Sequence, residues 1–397
     1  MENKIIILIV LSLFLVGCSF NGEYDDRYLN ETDEISELDE FESDSFNYSV
    51  EKIVDLTYPW GMSFINDDLI LVTEKTISNL NLINTSDFSV NLIDGIPEIH
   101  HTGQGGLLDV EFDSVSDYVY ITYTVINNQS ESSVSLGRGI LNLDDYSLDD
   151  FEVIYTAKPY VESGAHFGSR VTLDGDGYVY MTVGDRGSKD FSESHPSQNL
   201  SNDLGSTLRF YENGSIPNDN PFVNDSKYSD AVYSYGHRNS QGMVLNPYTN
   251  EIWQSEHGER DGDEINAIVK GGNYGWPLYH YGCEYGTENP VGNMPHENDD
   301  IVDPLYYWNC TSGGFPPSGM TFYTSDRFEE ITGDLFVSNL AGRYLGHFKV
   351  DNNSVQEVEP LLSDYEYRIR DVIESPDGYL YVITDEGDDY MMRLSID

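Results

Sequence analysis

The chain has 397 residues, of which 70 are acidic and 20 basic, for a formal net charge of −50. That balance repels nucleic acid and anionic membrane surfaces and excludes function classes that need a basic face. The length is enough for a large core, in one big β domain or in two or three smaller ones.

The first element is a targeting segment over residues 1–17. Lys4 precedes the apolar run Ile5 to Val16, which is too short for an ordinary membrane-spanning helix. The run ends in Leu15-Val16-Gly17-Cys18, which resembles a bacterial lipobox. The expectation is lipidation at Cys18 and export to a membrane face outside the cytoplasm, with the lipid as the sole membrane contact. Residues 18–48 are rich in Asp, Glu, Ser and Asn. So little apolar content cannot offset the entropy of ordering, and the stretch reads as a disordered acidic tether.

From residue 49 to 397 the pattern is strands and turns. One unit recurs six times: a polar turn with Asp, Asn or Gly, then a short apolar strand ending in Thr, Ser or Tyr. The copies are Asn66–Thr73, Asp117–Thr122, Asp176–Thr182, Thr249–Ser255, Gly333–Ser338 and Asp377–Thr384. They lie at intervals of roughly 40 to 85 residues, the length of a four-stranded blade plus insertions. Hairpin-type strands with this punctuation predict an all-β fold, and six copies predict a six-bladed β-propeller. Such a fold brings loops distant in sequence to one central axis.

Five clusters carry chemistry. His100-His101-Thr102-Gly103-Gln104-Gly105-Gly106 combines glycines that let a ligand approach the backbone with an amide donor and acceptor at Gln104. Gly164-Ala165-His166-Phe167-Gly168 sets a histidine before a strand, where it suits a general base; the plainer reading is a hydrogen-bonded structural histidine. Gly184-Asp185-Arg186-Gly187 offers either a structural bridge or an aspartate that orients a catalytic group. His237-Arg238-Asn239 stands upstream of the loop Gly258-Glu259-Arg260-Asp261-Gly262-Asp263-Glu264, whose carbonyls, carboxylates and glycines suit a hard cation such as calcium. Arg368-Ile369-Arg370-Asp371 puts two guanidiniums on one face if the segment is a strand, and a carboxylate-rich ligand would explain the pair. With Cys18 lipidated, Cys283 and Cys310 remain as a candidate disulfide or as two thiols.

Taken together, and extending from Tyr58-Pro59-Trp60-Gly61-Met62 to Thr384-Asp385-Glu386, these motifs resemble the soluble-type quinoprotein glucose/sorbosone dehydrogenases, most of all their aldose sugar dehydrogenase branch. The resemblance implies a six-bladed propeller that binds pyrroloquinoline quinone (PQQ) and Ca2+ and oxidises an aldose at C1 to the lactone. By the same resemblance His166 matches the general base and Arg238 the group that stabilises charge on the quinone. Gln104 and Asn239 match contacts to cofactor or substrate, and Arg368 and Arg370 match the pair beside the cofactor carboxylates. Gly258 and Glu259 match the carbonyl donors to the catalytic calcium, and Glu264 and Tyr274 the surroundings of a structural one. Two departures stand out: Glu259 is often proline in the family, and the glucose-specific branch has a lysine near the cofactor where this chain offers Arg343.

Two other readings compete: a calcium-dependent propeller hydrolase of the lactonase type, and a non-catalytic propeller that binds a sugar or a protein. Fold alone does not separate them. The sequence does not name the electron acceptor, and it leaves open whether two copies pair as a homodimer.

Overall fold

The computed structural model describes residues 38–42 and 47–396. They form six antiparallel sheets. The first strands of the six sheets are Pro59–Phe64, Leu107–Asp113, Gly168–Leu173, Ser240–Leu245, Pro317–Phe322 and Ile369–Glu374. Each packs against the next and the sixth packs against the first, which closes a ring. The fold is thus the predicted six-bladed β-propeller, with these strands around the central channel.

The six sequence repeats are one structural element. Each is the turn into the second strand of a blade: Leu69–Glu74, Tyr118–Ile126, Tyr178–Val183, Ile252–Glu256, Leu335–Asn339 and Leu380–Thr384. The turns are polar for a local reason. Asp174 Oδ1 accepts the N–H groups of Asp176 and Tyr178, and Asn66 Oδ1 those of Asp68 and Leu69, so the side chain substitutes for a backbone partner. The strands that follow are buried along nearly their whole length, because adjacent blades cover both faces. Packed clusters such as Leu71, Leu80, Val110, Val119 and Ile121 fill the space between blades.

The last blade is completed by the beginning of the chain. Asn47–Leu56 pairs antiparallel with Asp389–Ile396, from Tyr48 opposite Ile396 to Leu56 opposite Asp389. This corrects the predicted boundary at residue 49. Leu38–Glu42 also pairs, in register with Asn47–Glu51, inside the stretch expected to be a disordered tether. Composition misses a strand held through backbone pairing at a sheet edge. The targeting segment and Cys18 lie outside the described residues. Among the described residues, no helix is long and apolar enough to cross a membrane.

The inner strands share a pattern that the repeat search passed over: Trp60-Gly61-Met62, Leu108-Asp109-Val110, Ser169-Arg170-Val171, Gln241-Gly242-Met243, Ser318-Gly319-Met320 and Arg370-Asp371-Val372. Their middle residues meet in the channel. Arg170 Nη1 reaches Asp109 Oδ1 at 2.8 Å and Asp371 Oδ2 at 3.0 Å. The glycines make room: a Cβ on Gly319 would sit 1.5 Å from Asp371 Oδ1, and one on Gly61 2.3 Å from Asp109 Oδ1. The Asp–Arg–Asp cluster plugs the channel. On one side lies a cavity of about 160 Å3 lined by Glu111 and Met243 among others, where burial and Asp109 push the Glu111 carboxyl up to about 8. Trp60 bears on both Arg170, at 4.4 Å, and Arg370, at 5.9 Å, so the plug joins directly to the cluster that holds Arg370.

Candidate active site

His166 sits at the entry to the inner strand of the third blade, with φ +47°. That conformation is rare for a residue other than glycine. It is fixed from two sides: Gln104 Oε1 accepts the His166 N–H at 2.8 Å, and Gly184 packs so close that a Cβ there would meet the His166 carbonyl at 2.2 Å. Two glycine-rich loops from different blades therefore hold one histidine.

The imidazole is oriented by Asp185, which the sequence left between two roles. His166 Nδ1 lies 2.6 Å from Asp185 Oδ1. The carboxylate also accepts from Gly187 N at 2.7 Å and Trp276 Nε1 at 2.8 Å, and His195 Nε2 stands 3.5 Å away. Burial opposes its charge, but the charge and hydrogen bond of His166, the hydrogen bond of His195 and the nearby Arg238 hold it well below the usual carboxylate range. An ionised Asp185 accepts from Nδ1–H, which leaves the Nε2 lone pair to take a proton. Burial, with Arg238 nearby, lowers the imidazole's own pKa against the pull of Asp185.

Of the predicted cations, Arg238 acts directly on this dyad. Arg238 is buried; its Nη2 donates to Glu259 Oε2 at 2.9 Å, and its guanidinium lies 5.3 Å from the Trp276 ring. Glu259 Oε1 in turn holds Lys189 Nζ at 2.7 Å. Asn239 Oδ1 accepts from Gly168 N at 3.1 Å. Arg370 is buried, with Nη1 on Gln241 Oε1 at 2.8 Å and Nη2 on Asp385. Arg368 approaches the same Asp385 carboxylate at 3.6 Å. The two arginines do converge, though not by the predicted strand alternation. Arg368 precedes the strand and a register shift separates Ile369 from Asp371, so their common partner Asp385 brings them together. Arg343 is turned to the rim, on Glu386 Oε1 at 2.8 Å and the Glu366 carbonyl at 2.6 Å.

Among the predicted cofactor contacts, three buried N–H groups have no acceptor: Arg238 Nε, Asn239 Nδ2 and Arg370 Nε. Buried donors of this kind are normally paired. An acceptor-rich polyanion such as a tricarboxylate quinone fits these three; other buried donors without a partner, among them Arg170 Nη2, Trp253 Nε1 and Trp308 Nε1, lie in the channel plug and the core.

The Gly258 turn is tightly built. Gly258 N donates to Asp263 Oδ1 at 2.9 Å, and Phe315 N to Asp263 Oδ2 at 3.0 Å. A Cβ on Gly258 would lie 2.0 Å from the Asp261 carbonyl, so only glycine fits. Glu259 N donates to His280 Nε2 at 3.1 Å; burial and Arg238 lower that imidazole to about 3, which keeps it a neutral acceptor. Cys283 and Cys310 are disulfide-bonded, with Cα atoms 5.5 Å apart. Cys283 exchanges backbone hydrogen bonds with Arg260, and Thr311 N caps Asp261, so the bond staples both flanks of the turn.

Behind the turn, Glu264 stands directly opposite Glu256 in the fourth blade. Both are buried and line a small cavity of about 10 Å3 together with Tyr274, His257 and His280. Burial and Glu256 hold the Glu264 carboxyl well above its usual value. Opposed like charges in a sheet are unfavourable, and a cation in the cavity would relieve them. The Tyr274 ring stacks on His237 at 4.4 Å, and its hydroxyl donates to the Ala267 carbonyl. Among the described residues, no three His, Cys, Asp or Glu side chains form a metal cage; an ion at either position would draw on backbone carbonyls and water, as calcium does.

Sequence reading missed Glu256, His195, Arg170 and Lys75. The inner-strand pattern could have exposed Arg170, because its middle position is otherwise glycine or aspartate. Nothing in the sequence points to the others.

The comparisons with known proteins agree with this geometry. The family model for glucose/sorbosone dehydrogenases matches residues 56–393. Aldose sugar dehydrogenase YliI of Escherichia coli is 34% identical over 348 residues, 86% of this chain and 90% of that one. Quinoprotein glucose dehydrogenase B of Acinetobacter calcoaceticus is 28% identical over 424 residues, covering 88% and 87%. The crystal structure of the soluble aldose sugar dehydrogenase from Escherichia coli, in its apo form, superposes with a TM-score of 0.81 at 32% identity, over 88% of this chain and all of that one. With the match spanning every blade and both halves of the site, the chain belongs to the glucose/sorbosone dehydrogenase family.

Proposed function

We propose that this protein is a PQQ- and calcium-dependent dehydrogenase that oxidises aldose sugars at C1 to the lactone. Family membership supports sugar oxidation in general. The finer reading rests on one observation: the His166–Asp185 dyad lies in the field of Arg238, and Arg238, Asn239 and Arg370 each keep one buried N–H without a partner.

PQQ, when bound, would supply the two-electron acceptor for the hydride of C1, and the Gly258 and Glu259 carbonyls would hold a calcium ion that would supply positive charge. The protein does the rest. His166 Nε2 takes the proton of the anomeric hydroxyl, so the C–H electrons can leave as the carbonyl forms. Asp185 keeps the imidazole in the tautomer that can accept and stabilises the imidazolium afterwards. Arg238 would stabilise an acceptor that gains negative charge during the reaction, while Arg370, with Arg368, would hold carboxylates that keep theirs throughout, and Asn239 offers a further N–H to the ligand. Trp276 links the two halves of the site, with its indole N–H on Asp185 and its face toward Arg238.

The N-terminal pattern supports export with lipid attachment at Cys18. The partners of this reading are an aldose and an external electron acceptor. The test is dye-coupled oxidation of a panel of aldoses by protein supplied with PQQ and Ca2+. Sugar-dependent dye reduction, abolished by omitting PQQ, is expected. No reduction with any sugar refutes the proposal.

A further inference from the structure

The cations of the cleft are nearly all spoken for within the protein. Arg238 and Lys189 share Glu259, Arg368 and Arg370 share Asp385, and Arg343 takes Glu386. Lys75 differs. It makes no side-chain hydrogen bond and no ion pair among the described residues; its ammonium stands 5.6 Å from the Tyr58 ring. It lies in the field of Arg370 and Arg368, which disfavour its charge, and of Asp385 and Asp389, which favour it. Asp389 is already occupied, accepting from Tyr58 N, Thr384 Oγ1, Glu386 N and Gly387 N. Three cations thus face the single carboxylate of Asp385, in a chain whose net charge is −50.

The backbone places Lys75 at the site. It directly follows the second strand of the first blade, and is pinned by its N–H on the Tyr58 carbonyl at 2.9 Å and its carbonyl on Leu107 N at 3.2 Å. Its stem lies on Gly106: a Cβ there would be 2.9 Å from Lys75 Cγ. Gly106 is two residues from Gln104, which seats His166. Lys75 therefore lies between the loop of the base and the arginine pair. A half-buried lysine in the field of two guanidiniums, without a carboxylate of its own in contact, is costly to keep charged unless a ligand brings an anion.

We infer that Lys75 binds a carboxylate of the cofactor and, with Arg368 and Arg370, completes the cationic side of the cleft. It takes the part that the sequence gave to Arg343. This rests on the PQQ reading above.

The test is equilibrium titration of the apoprotein with PQQ in the presence of Ca2+, followed by quenching of tryptophan fluorescence, for the native protein and for Lys75→Gln, Lys75→Arg and Arg343→Gln. The expected result is affinity at least tenfold weaker for Lys75→Gln, with a shallower dependence on salt, largely retained for Lys75→Arg, and within about twofold of native for Arg343→Gln. A second measurement needs no variant. PQQ with Ca2+ should protect Lys75 from acetylation, read by mass spectrometry, while the exposed Lys227 goes on reacting. Native affinity in Lys75→Gln with no protection of Lys75 overturns the inference, as does native PQQ affinity combined with a raised KM for the aldose, which would place Lys75 against the sugar. Failure of the native protein to bind PQQ at all is a different result and removes the cofactor reading itself.

Discussion

At the scale of single residues, the site is a contest between burial and pairing. Burial and Arg238 lower the pKa of His166 against the pull of Asp185 and keep the imidazole neutral, while the hydrogen bond from His166, with His195 and Arg238 nearby, keeps Asp185 ionised against its own burial. The sign for activity follows. His166 must be neutral to accept a proton, and a pKa below the ordinary imidazole value keeps it neutral at pH 7. The acid limb of a kcat/KM profile should therefore fall below the usual imidazole range, and His166→Ala should erase that limb. The same variant should retain cofactor affinity and lose turnover on the order of 10²-fold or more. Asp185→Asn, which accepts a hydrogen bond less strongly and can impose the wrong tautomer, should lose turnover on a comparable scale with little change in cofactor affinity. His166 was legible in the sequence because glycines frame it. Lys75 was not, since a lysine at a strand end reads as a solvated charge until the fold lays Gly106 beneath it.

At the scale of elements, the turn residues told most. An Asp or Asn that caps its own turn is local chemistry, so all six second strands could be found from the sequence. The inner strands were hidden because what unites them is a shared place on the channel axis, filled by glycine in three blades and by Asp109, Arg170 and Asp371 in the others. The arginine pair was seen for a reason that the bulge at Ile369 removes. The Glu256–Glu264 pair yields a further prediction. Two buried carboxylates in register destabilise the blade unless a cation or proton lies between them. Glu264→Gln should raise the Tm in calcium-free buffer and abolish the Tm gain that calcium gives the native protein. A Tm gain from calcium of equal size in the variant would show that the ion binds elsewhere.

At the scale of the whole molecule, closure and charge dominate. A propeller without its last hydrogen-bonded seam is an open ring with an exposed edge. Deletion through Leu56, which removes the partner of Asp389–Ile396, should abolish cooperative unfolding by circular dichroism, whereas deletion only up to residue 37 should leave it intact. The plug adds a steric constraint. Gly319→Ala, which drives a methyl into Asp371, should cost about 1–3 kcal/mol in thermal unfolding. The sequence held the net charge and the number of blades; it could not show how an acidic body gathers a few guanidiniums and an ammonium at one end of its channel. A local cationic cluster prevails there because salt screens charges beyond about 10 Å while the buried groups act at contact.

The central claim is that this cluster grips an anionic redox cofactor beside His166. The most direct measurement is an anaerobic absorbance spectrum of the protein loaded with equimolar PQQ and Ca2+, taken before and after addition of excess aldose. The account predicts complete reduction of the bound quinone in the native protein, and an oxidised spectrum that persists for far longer in His166→Ala. A spectrum that stays oxidised in the native protein, or equal rates in the two proteins, would contradict it.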